Sequence, residues 1–208
     1  SFRGSVIDWL EGALSADFYV TAAANLNDQH ADQMAQLTDV SFVSRSQWYS
    51  LPTQDGPVEI WALGLPLDQP VDVNIQSGNR DEALQAWRNT PAVLISEPFA
   101  MRRGLAVGDQ LILPAGPDRP TFTIAGVYRD YASPTGVVLM RRSLYERLYD
   151  DTAIAGIGVH IRADRSREAM RDQLEMAVGG VAGARVTDNA AVFEQSLIIF
   201  DRTFAITE

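Results

Sequence analysis

The chain has 208 residues, a formal charge of −10 and no cysteine, with 46% hydrophobic and 21% charged residues. A chain of this length can bury roughly 70% of its unfolded surface, and the composition is that of a folded domain rather than a disordered one. The acidic balance argues against a phosphate-tracking nucleic-acid binder, which needs clustered positive charge, and the missing cysteine removes thiol catalysis, thiolate metal sites and disulfides together.

All seventeen basic residues are arginine, and the pairs Arg102-Arg103 and Arg141-Arg142 are too short to reverse the charge argument. No window reaches the ~18 apolar residues of a membrane span, and no signal peptide with a basic leading region is present. The start at Ser1 reads as that of a processed or excised piece, so a membrane connection is expected outside these residues.

In chain order, Phe2, Val6, Trp9 and Ala13, widened by Leu10, recur at the spacing of an amphipathic helix. Residues 17–22 read as a strand, 28–38 as a helix and 40–51 as a second strand, a β-α-β unit. Another strand covers 58–65, after the turn "PTQDGP". The middle of the chain is punctuated by Pro, Gly and Asp, with short strands expected at 92–96, 110–113, 121–131 and 137–140. In the third of these, Phe122, Ile124 and Tyr128 are expected on one face, and Leu111, Leu113, Phe122 and Ile124 should anchor this part of the chain. Further on, Ile157, Val159 and Ile161 alternate with Gly158, His160 and Arg162. A helix over 166–177 and a strand over 185–187 complete a second β-α-β unit. Phe193, Leu197, Phe200 and Phe204 then repeat the opening helical cadence, with Asp188 or Asn189 as its cap. This last stripe is still apolar at Ile206, with no stop signal.

No catalytic constellation emerges. A Ser-His-Asp triad would have to use His30 or His160. His160 falls on the polar face of its strand and reads as a surface histidine. His30 stands between Asp28 and Asp32, but positions i and i+2 of a helix point apart, so the three do not converge on a metal; Asp28 reads as a helix cap. "GLAVGD" (104–109) does not join a strand to a helix as a phosphate loop does and reads as a turn. Asp150-Asp151 reads as a helix-terminal loop. No catalytic, cofactor-binding or metal-binding residue is expected. The candidate contact residues for a partner or substrate are Trp48, Tyr49, Trp61 and Trp87. Core packing is the default for each tryptophan, and an exposed one would mark a contact surface.

The stretch "VLISEPFAMRRGLAVGDQLILPAGPDRPTFTIAGVYRDY" (93–131) carries a resemblance. Ser96, Ala100, Gly104-Leu105, Val107-Gly108-Asp109, Phe122, Ala125-Gly126-Val127 and Asp130-Tyr131 match, in order, a signature of the FtsX-like ABC-transporter permeases, in their MacB-like periplasmic core domain. In that signature a short helix is expected to deliver Leu105 and Val107 into the lobe, with Gly108-Asp109 turning into the next strand. The opening "SFRGSVIDWL" and the close "FEQSLIIFDRTFAITE" resemble the segments that flank the domain's two membrane helices.

The resemblance and the pattern together imply an α+β fold: two β-α-β units forming a small mixed sheet with helices, plus an inserted β-rich lobe. The expected division is 1–66 and 137–208 as a membrane-proximal lobe and 67–136 as the insert. The implied role is that of a non-catalytic periplasmic domain of a bacterial inner-membrane permease, coupling ATP-driven motion to export or extraction of a lipoprotein, lipid, peptide or drug, or to a periplasmic partner. The implied partners are a cytoplasmic ABC ATPase that alone holds the ATP, a second permease copy or paralogue, and a periplasmic adaptor or lipoprotein, with no nucleic acid. A ligand-binding sensor domain of a membrane receptor is the alternative; it would need an enclosed pocket.

Overall fold

The computed structural model describes residues 1–163 and 165–205. The end of the expected terminal helix, 206–208, lies outside the described residues. The elements in chain order are α1 (Phe2–Ala13), β1 (Phe18–Leu26), α2 (Asp28–Ala35), β2 (Val40–Leu51), β3 (Val58–Gly64), β4 (Ile75–Ser77), α3 (Arg80–Asn89), β5 (Ala92–Ser96), α4 (Glu97–Arg103), β6 (Gln110–Ile112), β7 (Thr121–Tyr128), β8 (Val137–Arg141), α5 (Arg142–Tyr149), β9 (Ile154–Ile161), α6 (Arg167–Ala177), β10 (Arg185–Asp188) and α7 (Asn189–Ala205).

All strands join one mixed sheet in the order β10-β1-β9-β2-β3-β8-β5-β7-β4, with β6 also on β7. The two β-α-β units are interleaved rather than side by side. β9 lies between β1 and β2, antiparallel to both, and β1 lies between β9 and β10. This is the split β-α-β arrangement. Each unit leaves a gap one strand wide, and the other unit's strand fills it.

The register sorts side chains onto two faces, because alternate residues of a strand point oppositely. One face carries Val20, Val43, Val159 and Ile157, packed under α2 and α6 with Met34, Met170 and Leu174. The same face continues through Ile60, Val138, Ile95 and Phe122 under α4 and α5. The opposite face carries Trp61, Leu63, Leu139 and Leu94, covered at its far end by α3 through Ala83, Leu84 and Trp87. Toward the other end α1 approaches it. Leu111, Leu113, Phe122 and Ile124 are all buried in one cluster, as their alternation requires.

Tyr128 departs from the expected face. The β5–β7 register shifts between Val93↔Ile124 and Leu94↔Gly126. One extra residue there reverses the alternation that follows. Phe122 and Ile124 therefore pack under α4 and α5, while Tyr128 packs with Leu94 and Leu139 under α3. The sequence marks only the end of α5, at Asp150-Asp151, and does not show α3. α3 opens on Asn79, whose side chain accepts from the Glu82 N–H, and has Asp81 and Glu82 in its first turn; these are start signals set among residues that otherwise read as turns.

Candidate binding groove and helix seam

Ser96 is fully buried at the end of β5, and its Oγ accepts a hydrogen bond of 2.9 Å from the Val137 N–H at the start of β8. Gly104 ends α4 in the left-handed conformation, φ 62°, which glycine adopts without steric cost. The Asp109 carboxylate accepts from the Ala106 N–H at 2.8 Å and closes the turn. Leu105 packs on the core. Val107, expected beside it, is 40% exposed: it sits in the turn ahead of β6, next to Gly78 rather than in the core. Gly126 lets α3 approach the sheet, since a Cβ there would lie 3.2 Å from both Ala83 Cβ and Leu94 Cδ2.

The last signature pair, Asp130-Tyr131, reaches the N-terminal helix. The Tyr131 ring meets Phe2 and Trp9 edge-on, at centroid distances of 5.9 and 5.6 Å. The Asp130 carboxylate accepts from the Trp9 side chain and from the Ala132 N–H. Burial pushes the Asp130 carboxyl above its ordinary range, against the pull of those two donors. On its other side α1 packs on α7: Phe2 meets Phe200 and Phe204 at 5.9 and 5.7 Å, and Arg3 forks onto Asp201 at 2.9 and 3.1 Å. The two helices thus run antiparallel, with the start of one beside the end of the other. Asp188 caps α7 through the Ala190 N–H, as one of the two expected caps.

Between α1 and α3 the sheet is bare, and an open-sided groove of about 900 Å³ runs there. Its floor is the face carrying Phe42, Ser44, Ser46 and Trp48 of β2, Trp61 of β3, and Gly158 and His160 of β9. Trp48 and Trp61 stack nearly parallel at 5.5 Å, and the Trp61 indole donates to Ser46 Oγ at 3.0 Å. His160 is not a plain surface histidine. It stacks on Phe42 at 4.0 Å, and burial holds its imidazole below the usual value although Asp17 and Asp72 pull it up. Sequence reasoning missed this role because the alternation in β9 shows only that the face differs from the core face.

Of the candidate contact residues, Trp48 (47% exposed) and Trp61 stand on the groove floor. Tyr49 points to the opposite face, beside Tyr145 and Tyr149, so Trp48 and Tyr49 cannot meet one ligand. Trp87 is 2% exposed, and its indole donates to the Leu139 carbonyl in the core under α3. It has no surface to offer a partner.

His30 is part of a capping box rather than a ligand set. The cap is Asn27, not Asp28: Asn27 Oδ1 accepts from the His30 N–H, and His30 Nδ1 accepts from the Asn27 N–H, both at 3.1 Å. Asp28 and Asp32 turn away to Arg45. Asp150 ends α5 with φ 48°, and Asp151 accepts from Tyr145, Gln47 and the Ala153 N–H. Among the described residues no group of His, Cys, Asp and Glu could hold a metal ion, and no helix is long and apolar enough to cross a membrane.

The class so defined is an α+β domain whose distinctive features are a surface groove and a contact between its terminal helices and a signature loop. By sequence, the chain belongs to the family of MacB-like periplasmic core domains, whose model matches residues 1–177. It is 27% identical to an ABC transporter permease protein of Mycobacterium tuberculosis over its whole length, and it spans 26% of that relative. Among solved structures it resembles the periplasmic region of MacB from Actinobacillus actinomycetemcomitans, with TM-score 0.61 and 13% identity, covering 86% of this chain and 91% of that one. It also resembles the extracellular domain of the ABC-type transporter YknZ from Gram-positive bacteria, with TM-score 0.55 and 13% identity, covering 83% and 98%. These likenesses bear on the fold.

Proposed function

We propose that this chain is the non-catalytic extracytoplasmic domain of an ABC-transporter permease, passing ATP-driven motion from membrane helices, through α1 and α7, to the far part of the sheet. The family supports the class. The observation that carries the coupling role is the seam at Asp130-Tyr131. α1 is held to α7 by Arg3–Asp201 and the Phe2 contacts, and to the end of β7 by Trp9 and Tyr131. A displacement of the helix pair therefore bears directly on β7, at the heart of the insert. ATP would be bound by a separate cytoplasmic subunit. A second permease copy or paralogue and a periplasmic adaptor or lipoprotein are the other partners this role calls for; Trp48, with Trp61 beneath it, and Tyr49 offer aromatic contact on opposite faces of the sheet.

The test uses spin labels at Glu11→Cys on α1 and Leu67→Cys in the exposed loop after β3, in a cysteine-free full-length permease with its ATPase. The inter-label distance should differ between the nucleotide-free and ATP-trapped states. In the Trp9→Phe, Tyr131→Ala double variant that difference should vanish while ATP binding persists. Equal distances in the two nucleotide states of the unmodified seam would overturn the proposal.

A further inference from the structure

The groove floor is unusually bare at its centre. Ser44, Ser46 and Gly158 line it there, and a Cβ on Gly158 would already lie 2.4 Å from Ser44 Oγ, while the neighbouring Gly156 is covered by the Tyr19 ring. Small residues therefore form a flat depression, with the Phe42–His160 stack at one end and the Trp48–Trp61 stack at the other. The volume of about 900 Å³ falls within the range of small-molecule sites, roughly 300–1,000 Å³.

The charge around this floor is one-sided. Five carboxylates line the groove (Asp8, Glu11, Glu59, Asp72 and Asp130) against two arginines. Both arginines are occupied: Arg80 donates to the Val71 and Val73 carbonyls, and Arg129 donates to Gln76 and faces Glu97. Among the described residues, Asp8, Glu11, Glu59 and Asp72 form no ion pair. Glu59 stands two residues from Trp61 on the same face of β3, beside the exposed ring of Trp48. Aromatic faces and carboxylates both attract cations, and apolar area is available beneath them. A second copy of this chain is disfavoured as occupant, because it brings a charge of −10 to an acidic rim.

We infer that the groove binds a compact organic cation with an apolar body, its body against Trp48 and Trp61 and its charge facing Glu59. This reaches beyond the coupling role and does not depend on it, since binding requires no ATPase. The probes are tetraphenylphosphonium and tetraphenylborate, of the same shape and opposite charge, titrated into the 208-residue chain at low ionic strength and followed by tryptophan fluorescence and calorimetry. The cation should bind on the order of tenfold more tightly than the anion, and added salt should narrow the gap. Glu59→Gln and Trp48→Ala, both at solvent-accessible positions, should each weaken cation binding about fivefold or more, with unchanged circular dichroism and melting temperature. An anion bound as tightly as the cation, affinities unmoved by both substitutions, or binding of a polycationic peptide where tetraphenylphosphonium does not bind would each overturn the assignment.

Discussion

Ser96 illustrates how a single hydroxyl can serve as a joint. The β5–β8 ladder, with Leu94↔Leu139 and Ile95↔Val138 as its pairs, stops short of the first amide of β8, and this side chain accepts that amide's hydrogen bond instead. Ser96→Ala should leave a buried N–H unpartnered and cost about 1–3 kcal/mol; an unchanged denaturation midpoint would show that another acceptor takes over. A second residue-level joint is Arg167, which bonds Asp17 and Asp188 and so ties α6 to β1 and β10. Its hydrogen bonds are the main reason the Asp188 carboxyl is held below its ordinary value. A depressed carboxylate contributes stability above its unfolded-state value and loses that contribution as pH falls through the folded-state one. The stability gap between wild type and Asp188→Asn, measured by denaturant titration from about pH 6 downward, should therefore shrink with acid; a gap constant in pH would refute the coupling. Asp130 has the opposite sign: its raised carboxyl costs stability once ionised. These roles were only partly legible. The Gly104 and Asp109 turn chemistry reads directly from residue type, whereas the partners of Ser96 and Asp130 lie 41 residues away and on another element, and no local pattern reports them.

At the scale of elements, periodicity located most strands and both terminal helices, since a stripe at 3.6 or alternation at 2 needs only local sequence. It could not show that β9 inserts between β1 and β2, because pairing partners are set by long-range packing rather than by either strand alone. It also failed where a bulge intervenes, as at Tyr128, and where a helix is short and set among turn residues, as for α3. The groove was legible only in its parts: Trp48 and Trp61 stood out as aromatics, but their stacking depends on the β2–β3 register, and the glycines of β9 gained meaning only once Tyr19 and Ser44 were placed over them. β7 is anchored by one large buried side chain. Phe122 is 1% exposed and lies among Leu111, Leu113, Ile95 and Val138. Phe122→Ala should cost about 3–5 kcal/mol, with hydrogen exchange speeding first in β6 and β7. A loss below about 1 kcal/mol would mean that the site collapses around the gap and that this core is not rigidly packed.

For the whole molecule, the packing shows where a separable unit would be cut. One cluster belongs to β1, α2, β2, β9, α6 and β10; the other draws on β5, β6, β7, α4 and α5 but also on Val58, Ile60 and Ala62 of β3, Val138 and Met140 of β8, and Leu51 at the end of β2. An exchange limited to 67–136 would split this second cluster between two parents, and mismatched core volumes are costly. We propose that the exchangeable unit runs from 58 to 149, carrying β3, β8 and α5 with the insert. Its junctions would then fall in the turn after β2 and in the loop ahead of β9, where backbone tolerates change best. Loops on a rigid scaffold are where binding residues gather, so this unit is the expected carrier of partner or substrate specificity. A chimera with the 58–149 unit of a related permease should fold with the α2–α6 layer intact, as judged by native melting of that half, and should follow the donor in which partner it binds. Trp61 travels with the unit while Trp48 and His160 stay behind, so a chimera that folds yet keeps the recipient's partner would place specificity on β2 and β9 and refute this division of labour.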